Sequence, residues 1–285
     1  MNFTKLQGAG NDFVLVEASE INPDWVQMAV AMCDRHLGIG ADGLLVLLPS
    51  KLADFQTHMF NPDGSEAEAC GNGLRCLIKY VIEMGLARSG AQEISVETVA
   101  GIRKARIYRD RGKPARIQIG MGKPKFGAED IPVAIEPEAR NLVDIKLLSY
   151  LVSVEDRELL LYFVSMGNPH AVCFWQYPVS DFPLSQMGPE VEYHKMFSDR
   201  VNFEIANAIS RQQIEARVWE RGAGETLACG SGACAVAVAA QLLDYVDNKV
   251  EIKLPGGILG VEWDRGGEVL LSGPAEIVFT GEWSR

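Results

Sequence analysis

From Gly232 to Ala240 the chain runs Gly-Ala-Cys-Ala-Val-Ala-Val-Ala-Ala, small or apolar at every position. Read as part of a helix from about Ser231 to Tyr245, this stretch has no polar face to turn to water and must be buried all round. It is well short of the roughly 20 residues that a membrane span requires, so the sheath has to be protein. The flanking sequence supplies short strands for it: Leu159 to Val164, Ala171 to Phe174 and Ile214 to Val218 before it, and Lys249 to Leu254, Ile258 to Trp263, Val269 to Leu271 and Glu276 to Phe279 after it.

The first half follows the same plan. Phe13 to Val16 and Leu44 to Leu48 read as buried strands, Asp24 to Arg35 as a helix started by Asn22-Pro23, and Asn61-Pro62-Asp63-Gly64-Ser65 as a turn. Leu74, Leu77, Ile78, Val81 and Ile82 form a helical stripe that stops near Gly85, and Glu93 to Ile119 is strand-like. At roughly 150 residues per domain, a chain of 285 residues divides in two. The Gly/Pro-rich stretch Gly120 to Gly127 reads as the linker. Each apolar helix opens on the same pentad, Ala69-Cys70-Gly71-Asn72-Gly73 and Ala228-Cys229-Gly230-Ser231-Gly232, which points to duplication.

The formal net charge of −11 works against nonspecific nucleic-acid binding. The basic run from Arg103 to Arg116 reads as a solvated strand and turn around Asp110 and Gly112. No charged segment followed by an apolar one opens the sequence, so the expectation is a soluble, cytoplasmic protein without membrane partners. Six cysteines without Cys-x-x-Cys spacing, with only His36, His58, His170 and His194 beside them, suit neither a disulfide framework nor a metal site. Gly38-Ile39-Gly40-Ala41-Asp42-Gly43 matches the dinucleotide fingerprint, but a helical pattern precedes it and a strand follows, the reverse of what that motif needs.

Most reduced cysteines are packing residues, and Cys33, Cys76, Cys173 and Cys234 read that way. Cys70 and Cys229 stand at helix starts, where the macrodipole favours thiolate and free N–H groups bind a carboxylate. If two such entrances face each other, an α-carbon held by its carboxylate lies between two sulfurs. One thiolate can take its proton while the opposite thiol delivers one, which is racemisation or epimerisation. Each asparagine, aspartate or glutamate nearby is, taken alone, an ordinary turn or surface residue.

The run Asn61-Pro62-Asp63-Gly64-Ser65, then Cys70-Gly71-Asn72-Gly73-Leu74-Arg75, resembles the active-site signature of the diaminopimelate epimerase family. Gly8 to Phe13, Gly167 to His170, Arg200 to Glu204, Glu220 to Thr226 and Ala228 to Ala235 resemble that family in the same order, nearly end to end. The resemblance implies an α/β (α+β) chain of two pseudo-symmetric domains, each an antiparallel-rich sheet around a central apolar helix, with the site in the cleft between them. The implied domains are residues 1–120 with a returning strand 274–285, and residues 121–273. It implies an isomerase that interconverts LL- and meso-diaminopimelate without cofactor or metal, on the route to lysine and peptidoglycan, and a homodimer.

By the same resemblance Cys70 and Cys229 are the catalytic pair, and Gly71, Asn72, Gly230 and Ser231 cradle the reacting carboxylate. Glu220 holds the reacting ammonium. Asn61, Asn168, Asn202 and Arg221 read the distal end of the substrate, Asn11 lies in the site and His170 supports it. Ser231 stands where the family usually has Thr, and Gly43 where some members carry Gln. The alternative is a cofactor-independent racemase of proline or histidine type, which has no need of groups for a second amino-acid end. A thiol redox or metal-binding protein is the rival of another class.

Overall fold

Apolar runs bounded by Gly, Pro and Asn turn most of the chain outside its two apolar helices into strands. The computed structural model describes residues 1–19, 24–67, 70–110, 113–127, 130–134, 149–154 and 157–284. Asn22-Pro23, Ala69 and Gly112, all used in the sequence reading, lie outside them. Two compact units emerge, Met1–Gly120 with Ser272–Arg285, and Met121–Leu271.

The first unit contains β1 (Asn2–Gly8), β2 (Asn11–Glu17), α1 (Trp25–Cys33), β3 (Gly43–Leu48), β4 (Phe55–Phe60), β5 (Glu66–Ala67), α2 (Gly71–Glu83), β6 (Glu93–Thr98), β7 (Gly101–Asp110) and β8 (Lys113–Gly120). The second contains β9 (Ser149–Val154), β10 (Arg157–Ser165), β11 (Pro169–Phe174), α3 (Leu184–Glu192), β12 (Asn202–Ser210), β13 (Gln213–Glu220), β14 (Gly224–Thr226), α4 (Gly230–Leu242), β15 (Lys249–Leu254) and β16 (Gly257–Glu262). From β17 (Leu270–Gly273) the chain returns to the first unit, where β18 (Glu276–Glu282) pairs antiparallel with β1.

The units repeat one topology. In the first, β2 runs parallel to β3, β3 antiparallel to β4, β4 antiparallel to β5 and parallel to β6, and β6 antiparallel to β7. In the second, β11, β12, β13, β14, β15 and β16 repeat these pairings in the same sense. The fold is thus a sheet-dominated α+β arrangement that mixes parallel pairs into its antiparallel ladders.

The registers agree residue by residue. Phe13 faces Gly43 as His170 faces Asn202, Leu15 faces Leu45 as Val172 faces Glu204, and Met59 faces Ala67 as Val218 faces Thr226. A one-residue slip would turn every side chain to the other face. The correspondence therefore pairs Asn11 with Asn168, Phe13 with His170, Gly43 with Asn202, Leu45 with Glu204, Asn61 with Glu220, Cys70 with Cys229 and Asn72 with Ser231.

Each unit wraps its apolar helix. The α2 helix packs against β1, β2, β3, β8 and β18, and α4 against β10, β11, β12, β13, β15 and β16. On α4 every residue from Gly232 to Gln241 is buried, and its alanines let strands approach from all sides. Val236 and Val238 are fully buried, each worth roughly 1.5–3 kcal/mol. On α2 the fully buried Arg75 donates to Asn72 Oδ1 (2.5 Å) and to the Pro274 carbonyl (3.3 Å), tying the helix start to the strand end before β18.

Two helix ends differ from the sequence reading, and α3 is a helix that reading did not include. The α1 helix stops at Cys33 because Asp34 leaves the helical region (ψ 122°) and accepts the His36 and Leu37 amides at 2.7 Å. The α4 helix stops at Leu242 because Asp244 adopts φ +57°, with its amide on the Gln241 carbonyl. The α3 helix carries Gly188 and Pro189, which read as breakers, yet Gly188 is what lets its backbone lie against the Trp219 ring.

Candidate functional site

Both cysteines of the repeated pentad are helix N-caps. Cys70 (φ −126°, ψ 121°) opens α2 and accepts the Gly73 amide at 3.5 Å. Cys229 (φ −115°, ψ 119°) opens α4 and accepts the Gly232 amide at 3.3 Å. Extended backbone at the cap, followed by a residue without Cβ at N3, aims each sulfur back over the free N–H groups of its helix. Cys33, Cys76, Cys173 and Cys234 are all buried in packed segments.

In the first unit, Asn11, Cys70 and Asn72 form one hydrogen-bonded group, with Gly71 between the last two in the chain. The Cys70 thiol donates to Asn11 Oδ1 (3.7 Å), which also accepts Asn72 Nδ2 (3.3 Å). Asn11 is oriented by Asp42, whose Oδ2 accepts its Nδ2 at 2.8 Å, and Arg35 holds Asp42 in turn at 2.6 Å. Asp42 was no sequence candidate, since it reads as part of a turn. Asn61 sits at the end of β4, where its amide caps the turn through Ser65 Oγ (2.9 Å).

In the second unit, Asn168, His170, Glu220, Cys229, Gly230 and Ser231 come together. Ser231 Oγ lies 3.4 Å from Cys229 Sγ and accepts Asn168 Nδ2 at 3.3 Å. Asn168 Oδ1 is 3.0 Å from His170 Nε2, and His170 Nδ1 is 2.7 Å from Glu204 Oε1. His170 and Glu204 are both fully buried. Thr226 Oγ1 donates to Glu220 (2.5 Å), as does the Cys229 thiol. Glu204 and Thr226 belong to this cluster; the sequence reading places both at the ends of family-like segments but gives neither a role. Glu204 alternates with buried Phe203 and Ile205, and nothing in that pattern separates it from a solvent-facing strand residue.

Asn202 has one partner in the fold at each polar atom: its Nδ2 donates to the Pro169 carbonyl (2.8 Å) and its Oδ1 accepts the Arg221 amide (3.0 Å). The Arg221 guanidinium reaches Asp199 through Nη1, at 2.6 Å to Oδ2 and 2.9 Å to the carbonyl.

The electrostatics of Cys229 reverse the expectation drawn from the helix dipole. Burial, and after it the Glu220 carboxylate, push its thiol well above the ordinary range, and donation by Ser231 and the Gly232 amide offsets this only in part. Burial likewise raises Glu220, against hydrogen bonds from Thr226 and Cys229. The macrodipole term is modest beside desolvation of a thiolate.

Comparison with known proteins bears on this geometry. The family model described as diaminopimelate epimerase matches residues 3–127 and 162–278. The diaminopimelate epimerase of Pelotomaculum thermopropionicum is 43% identical over 286 aligned positions, covering 99% of each chain. That of Acetivibrio thermocellus is 44% identical, covering 99% of this chain and 98% of its own. Among solved structures, a hydroxyproline epimerase from Agrobacterium vitis (TM-score 0.67, 14% identity) covers 99% of this chain and 91% of its own. A PhzF-family phenazine biosynthesis protein from Bacillus anthracis (TM-score 0.67, 16% identity) covers 100% and 99%. These two share the fold.

Proposed function

The chain belongs to the diaminopimelate epimerase family, and from that premise we propose that it interconverts LL- and meso-diaminopimelate by moving the α-proton between Cys70 and Cys229. The observation that carries this reading is the duplicated N-cap cysteine, each sulfur seated over the free amides of a buried helix. One thiolate abstracts the α-proton, the carbanion lies between the sulfurs, and the opposite thiol gives its proton to the other face. One thiol and one thiolate suffice: one S–H forms as the other is consumed.

The remaining groups take roles that suit their chemistry. The amides of Gly71-Asn72 and Gly230-Ser231 receive the reacting carboxylate as helix N-termini receive anions. Glu220, raised by burial while it faces only thiol and hydroxyl donors, is the acceptor for the reacting ammonium, whose arrival favours its ionised form. Asn61, Asn168 and Asn202 with Arg221 recognise the distal amino-acid end, where a planar guanidinium matches a carboxylate. Asn11 holds the Cys70 side and His170 the Cys229 side. The two units serve as the two halves of one epimerase. The product feeds lysine and peptidoglycan synthesis, and the enzyme works in the cytoplasm as a homodimer. No helix among the described residues is long and apolar enough to cross a membrane.

Stereochemical assay of the purified protein with LL-diaminopimelate, beside L-proline and L-histidine, tests the reading. Conversion to the meso isomer alone is expected, and turnover of proline or histidine instead would overturn it. With one thiol and one thiolate required, turnover should follow a bell-shaped pH profile.

A further inference from the structure

The duplicated topology lets one unit serve as the control for the other. At the positions that hold Glu204 and His170 in the second unit, the first has Leu45 and Phe13. Both pairs sit on the strands that pack against the apolar helix, and all four side chains are buried. A methyl group added at Gly73 of α2 would meet Leu45 Cδ2 at 3.3 Å, and one added at Gly232 of α4 would meet Glu204 Oε1 at 2.8 Å. The fold is therefore satisfied by two hydrocarbon side chains here. Burying a carboxylate and an imidazole instead costs desolvation that packing does not return.

The hydrogen-bond directions show what the pair does. Asn168 Nδ2 donates to Ser231 Oγ, so Asn168 Oδ1 is the atom facing His170 and the ring must present Nε2–H to it. His170 Nδ1 faces Glu204 Oε1 at 2.7 Å, so one further proton lies between that nitrogen and that oxygen. The pair is thus net neutral, with the ring as a donor at Nε2. With Asn168 donating into Ser231 Oγ, the serine hydroxyl proton is free to point at Cys229 Sγ, 3.4 Å away.

We propose that Glu204 is a positioning residue for the epimerase: through His170, Asn168 and Ser231 it fixes the direction of a hydrogen-bond chain that ends on Cys229 Sγ and stabilises that sulfur whenever it is thiolate. Among the described residues the first unit shows a different arrangement at the matching positions: Asn11 is oriented by Asp42 and offers Cys70 an acceptor. The titratable groups around the relay are Glu220 from β13 and Cys229 from α4. Cys234 lies further along α4, and Cys173 of β11 packs in the apolar cluster with Phe163 and Phe203.

Glu204→Gln tests this. Glutamine keeps the shape and can hydrogen-bond Nδ1, but it cannot share the second proton, so His170 becomes a neutral and weaker donor. The pair is net neutral before and after, so the Coulomb effect on the sulfur changes little and the lost donor strength dominates. Alkylation by iodoacetamide in the absence of substrate, followed by peptide mapping, reads each thiolate separately. At roughly pH 8 the rate at Cys229 should fall about tenfold, equivalent to its midpoint rising about one pH unit. The rate at Cys70 in the same sample should not move. The turnover number should fall by a similar factor, with little change in KM.

The double variant Glu204→Leu/His170→Phe imports the first unit's pair. It should keep its thermal midpoint while losing at least as much Cys229 reactivity, and it decides the matter should the single variant not fold. Unchanged reactivity at Cys229, or equal changes at both cysteines, would overturn the proposal. The relay matters for catalysis only if Cys229 is an acid–base thiol, as the proposed function has it. The alkylation readout needs no substrate, so a failure of that reading would appear separately, as wild-type protein that does not convert LL-diaminopimelate.

Discussion

The two helix starts share their caps and differ in almost everything around them. Cys70 and Cys229 have the same extended backbone, the same amide donor three residues on and thirteen-residue helices behind them. Around Cys70 stand the neutral amides of Asn11 and Asn72, and the cysteine is partly exposed. Around Cys229, only 6% exposed, stand Glu220, Glu204, His170 and Ser231. The helix dipole is common to both, so it cannot decide which sulfur carries a proton. The surroundings differ on the strands, where Asn61 is replaced by Glu220 and Leu45 by Glu204. What the copies share is an N-cap sulfur over free helix amides, and what they do not share is the set of polar groups around each sulfur. Burial and the Glu220 carboxylate push the Cys229 thiol up, while Cys70 finds an acceptor in Asn11 Oδ1.

The largest effects should come from removing what the copies share. Cys70→Ala and Cys229→Ala should each cut epimerisation by at least about a thousandfold, the scale of a lost general acid or base. Cys76→Ala and Cys234→Ala, buried in α2 and α4, should chiefly lower the thermal midpoint. With deuterium oxide as solvent, label should enter product ahead of recovered substrate. Substantial turnover by either N-cap variant would break the equivalence of the two sites.

Next in size is a contrast in packing. Alanine at Gly73 meets the flexible end of Met59 and Leu45 Cδ2, all at 3.3 Å, and helix propensity favours it by up to about 1 kcal/mol. Alanine at Gly232 meets Glu204 Oε1 at 2.8 Å, on a buried carboxylate held by His170. Gly73→Ala should change stability by less than about 1 kcal/mol, whereas Gly232→Ala should cost about 1–3 kcal/mol, the range for overpacking. Denaturant unfolding measures both. Equal costs would mean that Glu204 yields as easily as Leu45.

How much of this the sequence disclosed depends on the kind of signal. The helices and their caps were legible because glycine, cysteine and the 3.6-residue stripe of Leu74, Leu77, Ile78 and Val81 are local patterns. The β1 strand was not, because its buried Thr4 and Lys5 look like surface residues, and Lys5 is buried only by virtue of Asp12 and the Gly40 carbonyl. Glu204 stood in a family-like segment, but its role was not legible because its partner His170 lies 34 positions away. The chemistry of the second cap rests on contacts between strands, and no local pattern reports those.

Acid should discriminate between the units by a smaller margin. Burial alone would raise the Asp12 carboxyl, but Arg35 and Lys5 outweigh it and hold it at about 2. The second unit has Pro169 at the matching position. A carboxyl depressed below its unfolded value near 3.9 contributes stability that is complete above about pH 4 and lost as the pH falls through about 2, here no more than about 2 kcal/mol. The thermal midpoint should fall over that window, and Asp12→Asn should flatten the fall. A variant as acid-sensitive as the parent would move the cause elsewhere.

The smallest effect belongs to the distal end of the substrate. Arg221 has no counterpart in the first unit, where Pro62 occupies its place, and the proposed function gives its guanidinium the distal carboxylate. Its Nη1 is engaged by Asp199 at 2.6 Å, but Asp199 is 69% exposed, and exposed pairs are worth about 0–1 kcal/mol. A substrate carboxylate can therefore displace or share that partner at little cost. Arg221→Ala should raise KM for diaminopimelate clearly, with a lesser effect on turnover. Asp199→Ala should lower KM by less than about threefold, since it removes only a screened competitor. A rise in KM for Asp199→Ala would show that the aspartate aims the guanidinium and does not compete for it.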